Sequence, residues 1–144
     1  MEYYFAPMEG ITGAQFRQIH HSLFPGVDKY YIPFLSPTQD HVFTPRDLRA
    51  VLPEHNQGFR AVPQLLTRNP QDFLWAAGAL ADMGYEEVNL NLVCPSGTVP
   101  AKGKGAGMLG RREEPERMLD GIFAAPPAAI HLKTRLGMED PEEF

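Results

Sequence analysis

The stretch Glu87-Val88-Asn89-Leu90-Asn91-Leu92-Val93-Cys94-Pro95 decides how this chain is read. Polar and apolar residues alternate through Asn91, the period of two that belongs to a strand. Pro95 has no backbone donor and restricts the residue before it, so the chain must leave the sheet at the cysteine. The segment reads as a strand from Glu87 to Val93 with a thiol at its carboxyl end. Just ahead of it, Asn69-Pro70 opens a helix whose Phe73, Ala76, Ala77 and Leu80 share one face, and Gly84 falls just past the end.

The same alternation extends in both directions. Tyr3 to Met8 reads as a short buried strand, and Thr12 with Gln15 three positions on reads as the capping box of a helix. The apolar face expected for that helix is Phe16, Ile19, His20 and Leu23, ended by Phe24-Pro25-Gly26. Lys29 to Leu35 is a second strand, and Thr44-Pro45 opens a short helix reaching about Leu52. Arg60 to Leu66 is a third strand, although Pro33 and Pro63 each remove a ladder donor. Beyond the glycine-rich stretch, Glu114-Pro115 opens a helix with Met118, Leu119, Ile122 and Phe123 inward, and Ala129 to Thr134 is a fifth strand.

Strand and helix recurring at roughly 30-residue intervals is the rhythm of a parallel α/β sheet. A doubly wound sheet would favour a Gly-x-Gly-x-x-Gly turn after the first strand, and none is present. Met8, Gln64, Asn91 with Cys94, and Lys133 instead fall at the carboxyl ends of successive strands, where a TIM-type (β/α)8 barrel carries its active site. The expected fold is such a barrel. A closed one takes about 250 residues, so a 144-residue chain is expected to be its front part, truncated after about strand 5. The outer strands would then have exposed edges, which invite self-association.

Composition narrows the function classes. Apolar residues at 43% and charged residues at 22% are ordinary for a globular domain, and no run approaches the roughly 18 apolar residues of a membrane span. The first residues lack the pattern of a secretory signal, and the lone cysteine excludes an intrachain disulfide and a four-cysteine zinc site. A cytoplasmic setting is the expectation. A net charge of −5 speaks against a surface that grips nucleic acid all over, while leaving room for a local basic patch.

Four groups could carry chemistry. Cys94 is either a buried structural residue or a reactive thiol; with an ordinary pKa of about 8.5 it could donate a proton at neutral pH without tuning. Lys133 alternates with apolar neighbours and either reaches solvent or meets an anionic or electron-rich partner in the barrel mouth. Gln64 can donate and accept toward a flat heterocycle or simply close a strand end. The stretch from Gly97 to Gly110 holds Lys102 and Lys104, with Arg111 and Arg112 following. It does not match a nucleotide-binding P-loop, and its composition reads as a solvated loop that a phosphate backbone could approach.

Taken together these segments resemble the tRNA-dihydrouridine synthases. The matching pieces are Ala6-Pro7-Met8-Glu9-Gly10-Ile11-Thr12 with Phe16-Arg17, Pro63-Gln64-Leu65, and Asn91-Leu92-Val93-Cys94-Pro95. The Gly103 to Leu109 stretch and Lys133-Thr134-Arg135-Leu136-Gly137 complete the set, in order across nearly the whole chain. Val93 departs from the glycine usual before the family's cysteine, and valine is stiffer there.

The resemblance implies FMN as cofactor, NADPH as its reductant and tRNA as substrate. It implies flavin contacts from Pro7, Met8, Glu9, Gln64, Asn91 and Lys133, with Cys94 protonating C5 of the uracil. Asn91, Lys102, Lys104 and Arg135 would meet the RNA. It also implies later barrel strands and a helical tRNA-binding domain outside residues 1–144, so the chain alone is expected to bind FMN poorly and to be nearly inactive. Two other readings share the motifs: a flavin-dependent dehydrogenase of a free pyrimidine, like the dihydroorotate dehydrogenases, and an inactive half-barrel.

Overall fold

The computed structural model describes residues 1–92, 113–136 and 140. Its strands are β1 (Tyr4–Phe5), β2 (Lys29–Leu35), β3 (Ala61–Leu65), β4 (Glu87–Asn91) and β5 (Ala129–Lys133). Between them lie α1 (Ala14–Leu23), α2 (Pro45–Val51) with a 3-10 turn at Pro53–Asn56, α3 (Pro70–Asp82) and α4 (Glu113–Phe123). All four neighbouring pairs are parallel, and the strands stand side by side in chain order.

That order separates the two candidate architectures. A doubly wound sheet reverses its direction of growth and carries helices on both faces. Here every strand is added on the same side, and right-handed crossovers then place every helix on one face. Ile32, Leu35, Leu65, Val88, Leu90 and Leu92 do form one apolar cluster with Phe73, Ala76, Ala77 and Leu80 of α3 and Met118 and Ile122 of α4. A twisted parallel sheet covered on one face curls toward the other, and the result is a run of five units of a TIM-type (β/α)8 barrel.

Several local signals act as the sequence suggests. Thr44 and Asp47 form a reciprocal capping box ahead of Pro45 at the start of α2. Asn69 Oδ1 accepts from the Gln71 N–H at 2.9 Å, capping α3. Gly84 takes a φ of +96° after α3, a left-handed turn that costs glycine least. The prolines in β2 and β3 are tolerated by adjusting the ladders. Pairing advances from Ile32–Pro63 to Leu35–Leu65, one residue more on β2, so a bulge absorbs Pro33. Strand β3 pairs with β4 at Gln64–Asn89 and Leu65–Leu90, just beyond Pro63.

The first unit differs from expectation. Strand β1 is two residues long, because Pro7 lacks a donor and Met8 is drawn into a turn: its N–H donates to Thr12 Oγ1 at 2.8 Å. Thr12 is therefore not the N-cap of α1. Gly13 occupies that position without a side-chain cap, and the Thr12 hydroxyl is spent on Met8. The inner face of α1 is also rotated. Phe16 and His20 lie against Phe5, but Ile19 and Leu23 are about 60% exposed, while Arg17 is fully buried. In α4, Met118 and Ile122 are buried as expected, whereas Phe123 stands half exposed.

Arg17 replaces the expected aliphatic contact with a polar one. Its guanidinium donates to Thr12 O at 2.8 Å, Asn56 Oδ1 at 2.6 Å and Ala50 O at 3.2 Å, tying α1 to the end of α2 and the 3-10 turn. Asn56 Nδ2 donates in turn to the Ala50 and Leu52 carbonyls, and the Tyr85 hydroxyl donates to Val51 O at 2.7 Å. Burial pulls the Arg17 pKa down to about 10 and pushes Tyr85 up to about 12, so both keep their ordinary charge at neutral pH.

Helices α3 and α4 meet at Gly121, where an added Cβ would lie 2.7 Å from Pro70 Cβ and 2.8 Å from its Cγ. Alanine is the better helix former by about 1 kcal/mol at an open site. The proline ring at the start of α3 cannot swing aside, so the clash outweighs that gain. Gly121→Ala should destabilise the fold by about 1–3 kcal/mol, seen as a lower midpoint in thermal or urea denaturation.

Candidate active site

Strand β4 is buried along its whole length. Val88 and Leu90 belong to the apolar cluster under the helices, so alternation turns Glu87, Asn89 and Asn91 to the opposite, concave face. A polar side chain buried there must find its partners within the sheet.

At the carboxyl end those partners are amides. Asn91 Nδ2 donates to Gln64 Oε1 at 2.7 Å, and Gln64 Nε2 donates to Asn89 Oδ1 at 2.8 Å. Asn89 Nδ2 then donates to the His131 main-chain carbonyl at 3.1 Å. Gln64, Asn89 and Asn91 are all within a few per cent of complete burial. Lys133 pairs in register with Asn91 and alternates with His131, which contacts Glu87 on the concave side, so it extends the same face at the carboxyl rim. The Leu92 N–H donates to Lys133 O at 2.8 Å and fixes that register.

At the amino end the partners are ions. Glu87 accepts from Lys29 Nζ at 2.9 and 3.1 Å and from Arg60, and His131 Nε2 lies 3.4 Å from it. Lys29 Nζ also sits 5.0 Å from the centre of the Tyr4 ring. The His131 pKa is lowered from its ordinary 6.5 first by burial and then by the Lys29 and Arg60 cations; the Glu87 charge is already committed to those two. This cluster lies at the closed end of the barrel, where buried ions serve stability.

Of the residues singled out in the sequence, Gln64, Asn91 and Lys133 come together on one face. Pro7, Met8 and Glu9 lie in the turn after β1, also at the carboxyl end. The Met8 N–H and carbonyl are both engaged within that turn, so any contact it offers a ligand comes from its exposed side chain. The Glu9 carboxylate is 3.3 Å from Arg46. Arg135 follows β5 and is partly buried. Val93, Cys94, Pro95, the glycine-rich stretch with Lys102 and Lys104, Arg111, Arg112 and Gly137 lie outside the described residues.

Asn89 is the residue that sequence reading passed over. It alternates with Asn91 and was visible as a polar position in a buried strand, a signal that it must be satisfied on the concave side. A groove of about 840 Å³ also opens at the carboxyl end of β2 and β3. Arg68 and Arg117 line it together with Asp40, Asp72 and Glu114, so its charge has no single sign.

A parallel barrel with Gln64, Asn91 and Lys133 at the carboxyl ends of its strands has polar side chains where (β/α)8 enzymes carry their active sites. Comparison with known proteins makes this more specific. Residues 4–144 match the family model described as dihydrouridine synthase, and the chain belongs to that family. It is 29% identical over 140 residues to a probable tRNA-dihydrouridine synthase of Staphylococcus epidermidis, covering 96% of this chain and 42% of that protein. A tRNA-dihydrouridine(20/20a) synthase of Vibrio vulnificus is 36% identical over 84 residues, 56% of this chain and 25% of its own length. Probable tRNA-dihydrouridine synthase 1 of Synechocystis is 27% identical over 138 residues, 95% of this chain and 38% of its own. The chain thus spans well under half the length of these relatives.

Two outcomes are expected from the ion cluster. Glu87→Gln leaves the buried Lys29 without a carboxylate and should cost about 3–5 kcal/mol in denaturation experiments. The unfolded chain takes up a proton on His131 at a higher pH than the folded one does. Stability from this group is therefore complete above a pH of about 6.5 and is lost as the pH falls below it. Denaturation midpoints across that range should show the decline, and His131→Gln should flatten it.

Proposed function

We propose that residues 1–144 form the N-terminal part of the FMN-binding catalytic barrel of a tRNA-dihydrouridine synthase, which reduces the C5=C6 bond of particular uridines in tRNA. The observation that carries this reading is the convergence of Gln64, Asn91 and Lys133 on one buried polar face at the carboxyl ends of β3, β4 and β5. Ordered amides beside an ammonium fit the edge of an isoalloxazine ring, which alternates donors and acceptors and gains negative charge on reduction.

Gln64, Asn91 and Lys133 would hold the ring edge, with Pro7, Met8 and Glu9 contributing from the turn after β1. FMN, when bound and reduced at the expense of NADPH, would supply a hydride for C6 of the uracil. The Lys133 ammonium would balance charge beside the ring, and a cation there would be stabilised by the partner it stabilises. The Cys94 thiol gives its proton to C5, a task for which an ordinary thiol is protonated at neutral pH. Asn91, Lys102, Lys104 and Arg135 would meet the uridine and its neighbouring phosphates, the target base having left its stack. No helix among the described residues is long and apolar enough to cross a membrane, and a cytoplasmic setting belongs to the same reading.

The test separates binding from proton transfer. In assays of uridine reduction by the full enzyme, Cys94→Ala should lower turnover by about 10²-fold or more while leaving FMN affinity within a small factor. Lys133→Met should instead weaken FMN binding, measured by the quenching of flavin fluorescence. Unchanged turnover in the Cys94 variant would remove the thiol from the mechanism.

A further inference from the structure

We infer that Asn89 is a positioning residue of this site: it fixes the sense in which the Gln64 and Asn91 amides are turned at the barrel mouth. The inference rests on the flavin and uracil reading of that mouth for its consequence, but its geometry stands independently.

A side-chain amide has a donor end and an acceptor end of nearly equal shape, and only its partners decide which points where. The three amides on the concave face form a single-file relay, and the relay has an anchor. The His131 main-chain carbonyl can only accept, so Asn89 must turn Nδ2 toward it at 3.1 Å. Asn89 Oδ1 then faces Gln64 and requires the donor end, which Gln64 supplies at 2.8 Å. Gln64 is left with Oε1 toward Asn91, which answers with Nδ2 at 2.7 Å. Every choice follows from the one before.

The consequence appears at the top. Asn91 spends an N–H on Gln64, so the relay decides which way round its amide is held. Reversal of the relay would set Asn89 Oδ1 against the His131 carbonyl, two acceptors with no proton between them. Burial sharpens the selection, because a mismatched pair in this environment has no water to rescue it.

Two substitutions rank oppositely under this proposal and under a purely packing role for Asn89. Asn89→Asp keeps an acceptor for Gln64 and, when protonated, a donor for the His131 carbonyl. Asn89→Leu is close in shape and removes both. If Asn89 only fills space, the leucine is tolerated and the buried acid is not. If Asn89 orders the relay, the aspartate preserves the site and the leucine releases it.

The first measurement is made without ligand, on the side-chain amide resonances of Gln64 and Asn91 in ¹H–¹⁵N spectra. They should stay near their positions in Asn89→Asp and shift in Asn89→Leu; resonances unmoved in the leucine variant would overturn the relay. If the leucine variant does not fold, hydrogen exchange in the unsubstituted protein decides. Slow exchange of one Gln64 Nε2 and one Asn89 Nδ2 proton supports the relay, and fast exchange overturns it.

The second measurement is FMN titration of the full enzyme carrying the same substitutions. The leucine variant should bind about tenfold more weakly, the scale of one mispaired buried hydrogen bond, with the aspartate variant near the unsubstituted protein. Equal affinities in all three would overturn the positioning role. Failure of the unsubstituted full enzyme to respond to FMN at all would count against the flavin reading, and the ligand-free spectra would still judge the relay.

Discussion

Strand β4 is buried on both faces, yet only one of them is apolar. Everything else in the molecule answers to that constraint. Parallel strands covered on both sides normally carry aliphatic residues throughout. Here Glu87, Asn89 and Asn91 take the concave positions, and each must be matched within the sheet. Strands β2, β3 and β5 provide the matches: Lys29, Gln64, His131 and its main chain. Register, and not only hydrophobic contact, is thereby written into the sheet, since a slip of one residue would separate every polar pair.

The polar face is divided along its length. The amino end gathers full charges around one carboxylate, and the carboxyl end gathers neutral amides. The two halves suit different purposes. An ion cluster is strong and closed, whereas amides at the rim can exchange one partner for a ligand at small cost because they carry no net charge to strand.

Much of this fold could be read from the chain. The parallel rhythm, the Thr44 and Asn69 caps and the Gly84 stop depend on residues close in sequence, and local chemistry decided them. The barrel was inferred from polar residues at successive strand ends, which follows from the strand order. The first unit was misread for a physical reason. Thr12 had two competing acceptors and donors within reach, and the Met8 backbone won it from the helix. Helical periodicity nominated Ile19 and Leu23, but it could not reveal that Asn56, 39 residues after Arg17, would offer a buried guanidinium its partner. Asn89 was overlooked because its role exists only across three strands.

One end of the amide relay is a peptide carbonyl. A side chain can be exchanged by altering one codon, but the oxygen of residue 131 is present whatever amino acid is encoded there. Its location is set by the pairing of Asn89 with His131 between β4 and β5. Drift at position 131 can therefore disturb the ionic half of the barrel while the polarity of the rim is inherited intact from the backbone.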